Sequence, residues 1–427
     1  MATQKNPNIR RALAANMSDA AGNTVFDDAL GILVVVAFGF TTADIGLLNA
    51  LGSISFLLLS VPAGVLVDRV GPLKTLLGTI TAKTLVVGVF FALYAAGQAG
   101  VLGTMVAVTL IGMLTVVAEN AQVTLVPLLT SDKALISRTV AKLAAADRVI
   151  GVVFPALAGI AISTIGGVAT LGLAVALFAL TLVLMLRLYL SDKAARDAAV
   201  VYADGEQAPE LSDIAPGTVW QEFTHGFKVI AGNRLLIAVV LMNAVGNIGY
   251  AIGDSVETVL VLRNLGLSPA FYGILGTLAA LAGMFAAVLS VKVTDRFPTR
   301  AIYTVGIFAQ TLSAALPLCA YLLPAYGAAF MIAFVVAWTL TLTLTNIAGY
   351  TYMAQSVDSG SLGRASAALR MIAMGCVPFA AFGGGYLGTA FGLIVPLIVW
   401  PTLTLAAAGV FIVLTAGAGA GGRHRAA

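Results

Sequence analysis

Twelve apolar stretches, each long enough to cross a bilayer, follow one another with little chain between them. They cover residues 12-38, 43-67, 73-97, 101-128, 140-165, 168-190, 234-262, 269-294, 300-323, 326-354, 364-390 and 392-416. A spanning helix needs about 20 predominantly apolar residues. Inside hydrocarbon its backbone N–H and C=O groups must pair within the element, which open strands and loops cannot do. The pattern therefore predicts an all-α integral membrane protein with twelve transmembrane helices. Composition agrees, with 60% hydrophobic and 10% charged residues, where soluble domains carry roughly a quarter charged. The first stretch does not read as a removable signal: it is long, interrupted by Asp19, Asp27 and Asp28, and lacks a small-residue cleavage pattern.

A second regularity divides the chain in two. Asp27 and Asp254 are 227 positions apart (254 − 27), and the same offset relates Asn16 to Asn243, Gly22 to Gly249 and Asp68-Arg69 to Asp295-Arg296. Farther on, Asn120 corresponds to Asn346 and Arg148 to Arg370, with a drift of a few residues that loop lengths would produce. Rare residues repeated at half the chain length predict two pseudo-symmetric six-helix bundles, with a ligand site at the repeat interface. The expected parts are an N-terminal bundle over 1-190, a linker over 191-233, a C-terminal bundle over 234-416 and a tail over 417-427. Within the linker, Trp220, Phe223, Phe227 and Ile230 recur at 3-4-3 spacing, which predicts an amphipathic helix at the membrane surface.

Basic residues sit at the even-numbered connections and the termini, as at Arg69, Lys74, Lys133, Arg138, Arg296 and Arg300. The odd-numbered connections carry only Arg263. By the positive-inside bias, both termini are expected in the cytoplasm of a cell or inner membrane. The same scatter argues against nucleic acid as a partner, since the bases form loop anchors and no stripe. Cys319 and Cys376 give no disulfide framework, and no metal-ligand spacing or P-loop occurs. No cofactor, metal or enzymatic activity is expected.

Gly64-Val65-Leu66-Val67-Asp68-Arg69-Val70-Gly71-Pro72-Leu73-Lys74 resembles the loop between the second and third helices of the major facilitator superfamily. Asp295 and Arg296 stand in the degenerate second copy. Gly151, Pro155 and Gly159 lie in a stretch similar to the family's antiporter motif, with Phe154 and Ala158 in place of two glycines. Pro127-Leu128-Leu129, Gly166-Gly167, His225-Gly226-Phe227 and Asn233-Arg234-Leu235-Leu236 resemble the branch that holds macrolide-efflux and siderophore-export proteins. The resemblance implies a monomeric transporter in membrane lipid that moves a small-molecule substrate by alternating access. It also implies a gating latch in which Asp68 engages Arg69, Lys74 or the N–H groups of a neighbouring helix, with Gly64 and Gly71 permitting close approach.

Charges inside the spans mark where such a protein would work. Each costs about 2.5–3.5 kcal/mol or more at mid-membrane, so it should face protein or water. Asn16, Asp19, Asn23 and Asp27 follow at 3-4-4 spacing on one helix face, and Asn243, Asn247, Tyr250, Asp254 and Glu257 at 4-3-4-3 on another. Asp28 falls about 100° off the first stripe, which favours Asp27. The stripes predict a polar cavity lined by spans 1, 4, 7 and 10, with Asp27, Asp254, Glu257 and Glu119 as candidates for protons or a cationic group. An Arg148–Glu119 ion pair is expected at similar depth. Arg370, whose partner position is occupied by Thr345, is the candidate contact for an anionic group. Two readings stay open on this fold: proton-coupled export of amphipathic small molecules, and import or uniport of a small metabolite.

Overall fold

The computed structural model describes residues 7–130, 132–200 and 227–416, and their regular structure is entirely helical. The helices are α1 (Pro7–Val36), α2 (Thr42–Val70), α3 (Pro72–Ala95), α4 (Val101–Leu129) and α5 (Lys133–Val200). After the linker come α6 (Arg234–Val259), α7 (Pro269–Arg296), α8 (Thr299–Ala314) and α9 (Leu316–Leu322). The last four are α10 (Gly327–Ser356), α11 (Ser359–Gly375), α12 (Val377–Phe391) and α13 (Ile394–Ala416).

Ten helical segments among the described residues are long and apolar enough to cross a membrane. One of them, within α5, runs for 58 residues, which at about 1.5 Å per residue greatly exceeds a hydrocarbon core of about 30 Å. The helix breaks at Gly166, whose φ of 83° and ψ of 168° leave the helical region, so α5 supplies two spans. α1 falls outside the ten because Asp19, Asp27 and Asp28 lower its apolar character. Counting α1 and both parts of α5, the architecture is consistent with twelve spans. Prolines divide others: Pro317 opens α9 and Pro378 opens α12, each lacking the N–H that would continue the preceding helix.

The helices fall into two compact units. The first holds α1, α2 from Leu51, α3 to α5, and Ser268–Thr277 at the start of α7; the second holds Phe40–Ala50, residues 227–267 and the chain from Leu278 through α13. Small residues bring the helices of the first unit together: Ala12, Ala15 and Ala121 pack with Leu76, Ile80 and Met185. Lipid tails are as apolar as leucine, so close packing between backbones, and not flight from water, drives such contacts. In the second unit Ala238, Met242, Ile307 and Ala407 surround Tyr303 and Phe411. Large apolar side chains such as Val288, Val413 and Leu85 are left outermost, as a lipid-facing surface requires.

Residues 201–226 of the linker, which include Trp220, Phe223 and His225, and the tail over 417–427 lie outside the described residues. What is described of the amphipathic pattern packs inward: Ile230 is buried and Phe227 lies against the cluster of Leu236, Met353 and Val357. α5 itself continues through residue 200.

Candidate functional site

Neighbouring helices close the α1 stripe into a charge-neutral network within the first unit. Lys83, on α3, is fully buried, and its Nζ donates to both Asp19 carboxylate oxygens at 3.2 and 3.3 Å and to Asn23 Oδ1 at 3.3 Å. Asn23 Nδ2 and Gln122 Nε2 donate to Asp19 Oδ2 at 3.3 and 3.4 Å. Asn16 Nδ2 donates to Gln122 Oε1 at 2.8 Å. Nζ also lies 5.8 Å from the Phe178 ring centroid, a cation–π distance. Asp19 and Lys83 form a buried salt bridge. It joins α1 to α3, and Gln122 extends it to α4.

Two acids of α1 are left outside this network. Asp27 is exposed. Asp28 is half-buried, with Oδ2 buried and lacking a hydrogen-bond partner. Neither forms a salt bridge with a described residue. Glu119 and Arg148 are both exposed and do not pair with each other. The sequence placed these two at one depth, but depth along a helix does not fix the face, and Lys83 takes Asp19 instead.

The loop motif separates into distinct physical roles. Gly71 follows α2 with φ of 88° and ψ of 139°, a conformation nearly restricted to glycine. Gly64 has open space where a Cβ would stand, so it does not serve close approach in this structure. Asp68, Arg69 and Lys74 are exposed and form no ion pair with one another. Asp295 and Arg296 are exposed at the last turn of α7.

Gly151, Pro155 and Gly159 lie on α5, and the last two meet the first turns of α7 inside the first unit. A Cβ at Gly159 would strike the backbone of Pro269 and Gly273, and one at Gly273 would strike that of Pro155. Thr277 Oγ1 donates to Val152 C=O, and Ala270 N–H to Ser163 Oγ at 3.0 Å. Gly151 has no such neighbour. The second unit contains a matching crossing, Gly46 on α2 against Gly385 on α12, also with backbone on both sides. Gly46 and Gly273 stand at the 227 offset that relates Asp27 to Asp254.

In the second unit the α6 stripe meets an aromatic cluster. Asp254 accepts from Tyr250 Oη at 3.1 Å and from Asn49 Nδ2 of α2 at 3.2 Å, one donor on each oxygen. Tyr250 stacks on Trp338, with centroids 5.6 Å apart and planes 14° apart, and meets Trp400 edge-on at 5.7 Å. Trp400 lies against Gly253, where any side chain would collide with its ring. Glu257, one turn beyond Asp254, is half-buried, and neither acid forms a salt bridge with a described residue. Asn247 instead donates to Ala373 C=O at 2.9 Å near the end of α11, a helix-to-helix tie. Arg370 is exposed on α11.

Lys83, Asn49 and the tryptophans were not singled out as partners by the sequence. For Lys83 a signal exists: Gln310 stands 227 residues later (310 − 83) and is likewise buried, donating to Thr345 Oγ1 at 3.2 Å. One buried position is thus charged in the first half and neutral in the second. Asn49 and Trp400 carry no comparable mark.

Residues 12–262 match the model of the Major Facilitator Superfamily. Among solved structures, a mutant of the nucleoside transporter NupG superposes with a TM-score of 0.72 at 12% identity, covering 95% of this chain and 99% of its own. A bacterial homologue of the iron transporter ferroportin, in an inward-facing state, gives 0.72 at 13% identity, with 96% and 98% covered. A bacterial homologue of the human lysosomal transporter Spinster gives 0.68 at 15%, again with 96% and 98%. At these identities the likeness establishes the fold, and no curated protein matches by sequence. The chain is a multi-pass membrane transporter without enzymatic activity, and it belongs to the Major Facilitator Superfamily.

Proposed function

We propose that this transporter is a secondary active exporter of amphipathic small molecules, of the drug, antibiotic or siderophore type, exchanging them for protons by alternating access. The supporting observation is the surplus of carboxyl groups in the spans. In the first unit Lys83 neutralises Asp19, and neither Asp27 and Asp28 there nor Asp254 and Glu257 in the second form a salt bridge with a described residue. An acid at membrane depth without a cationic partner is a site for a proton or a positively charged group. The basic even-numbered connections favour cytoplasmic termini in a cell membrane, and the short connections suit a monomer.

Transport into everted vesicles tests direction, coupling and site together. An exporter accumulates its substrate in vesicles whose lumen is made acid, and Asp27→Asn and Asp254→Asn reduce that accumulation at equal protein level. Accumulation that survives collapse of the gradient by a protonophore would refute proton coupling. Uptake in the opposite sense, restricted to one metabolite, would refute export.

A further inference from the structure

The structure assigns to the second unit a binding subsite for the positively charged aromatic end of an organic cation, formed by Tyr250, Asp254 and Glu257 and backed by Trp338 and Trp400. This rests on the reading that the protein moves amphipathic molecules and names the chemistry of one end of them. Three features converge. Both Asp254 oxygens are held by neutral donors, Tyr250 Oη and Asn49 Nδ2, so the carboxylate is aimed without being neutralised. Glu257 adds a second acid at i+3 on the same helix face.

Beside Asp254, and tied to it through Tyr250 Oη, lies a set of mutually packed rings. Tyr250 is stacked on Trp338, Trp400 stands edge-on to both at 5.7 and 5.1 Å, and Phe334 closes on Trp400 at 5.1 Å. Trp338 and Trp400 are buried, whereas Tyr250 keeps 36% of its surface exposed. The Nε1 groups of both tryptophans are buried without an acceptor, so the cluster is not a closed polar network. Aromatic faces attract cations, and more strongly where water is scarce. A small inorganic cation would seek several oxygens in a shell. Asp254 beside the part-exposed ring of Tyr250, with Glu257 one turn on, fits a large, weakly hydrated cation bearing its own rings.

Two of the three tryptophans in the chain are at this subsite, the third being Trp220. Trp220→Phe protein in lipid nanodiscs therefore reports the subsite through its own emission. The probes are tetraphenylphosphonium and tetraphenylborate, equal in shape and opposite in charge, with empty nanodiscs as the blank. We expect saturable quenching by the phosphonium alone. Asp254→Asn or Glu257→Gln should weaken it about tenfold or more. Tyr250→Ala should weaken it further than Tyr250→Phe, which keeps the ring.

Equal binding of the two probes in the unmutated subsite would overturn the assignment, with no variant needed. So would phosphonium affinity unchanged in both acid variants. Failure of the export reading looks different. Phosphonium that binds in the expected pattern yet stays unmoved by a proton gradient in proteoliposomes leaves the subsite standing and removes the coupling. Gradient-driven export with binding blind to charge removes the subsite alone.

Discussion

Replacing Lys83 by methionine removes one charge from the first unit while keeping most of the side-chain volume. Lys83 is fully buried and Asp19 nearly so, and the ammonium supplies Asp19 with its contacts at 3.2 and 3.3 Å. In Lys83→Met the carboxylate keeps only the neutral donors Asn23 and Gln122, at 3.3 and 3.4 Å, each worth roughly 1.5–3 kcal/mol to a charged acceptor and already present beside the lysine. These cannot offset a buried charge whose partner is gone, and breaking such pairs costs about 3–5 kcal/mol. Asp19→Asn should cost a similar amount, because it strands the ammonium instead. The double variant Lys83→Met/Asp19→Asn removes both charges together and should recover most of the loss, since neutral replacements of buried pairs are often near neutral in stability. Reversible SDS unfolding of the purified protein in mixed micelles measures all four corners of this cycle. The expected coupling is several kcal/mol, with the double variant near wild type. Single-variant losses below about 1 kcal/mol, the size of an exposed pair, or losses that simply add, would refute the buried-pair account.

Glycine substitutions should divide sharply by position. Gly159→Ala forces a Cβ into the backbone of Pro269 and Gly273 and should cost about 1–3 kcal/mol. Gly64→Ala, inside α2 with open space around it, should gain about 0.5–1 kcal/mol; thermal denaturation of the purified variants compares the two. Gly71→Ala must hold φ near 88° and should lose roughly 1–3 kcal/mol by the same assay. Because Glu119 and Arg148 are exposed and unpaired with each other, the effects of Glu119→Gln and Arg148→Ala should add within about 0.5 kcal/mol. A larger coupling energy would show that they meet in the working protein.

How much of this was legible in the sequence depends on whether the information is local. Apolar run length is local, and the spans follow from it, including the break at Gly166-Gly167. The 227 offset gave Asp27 its counterpart Asp254, and it extends to the Gly46 and Gly273 crossings, because duplicated helices keep their contacts. Partner choice is not local. A helical wheel places Asn16, Asp19, Asn23 and Asp27 on one face, yet Asp19 is neutralised by a lysine 64 residues away on α3. Arg148 and Glu119 matched in depth and still missed each other, since depth leaves rotation about the helix axis free. Asn49 reaches Asp254 across more than 200 residues, and a single chain without its copies carries no trace of that.

The Asp19–Lys83 pair also bears on how the chain enters the membrane. α1 alone lacks the apolar character of the other spans, and its neutralising ammonium is encoded 64 residues downstream. At roughly 5–20 residues per second of synthesis, Asp19 precedes Lys83 by about 3–13 s. During that interval the lysine that pairs with Asp19 in the folded protein does not yet exist. Full seating of α1 therefore becomes more favourable once α3 brings the ammonium beside the carboxylate. The charge that settles the first helix of the bundle is thus supplied by the third.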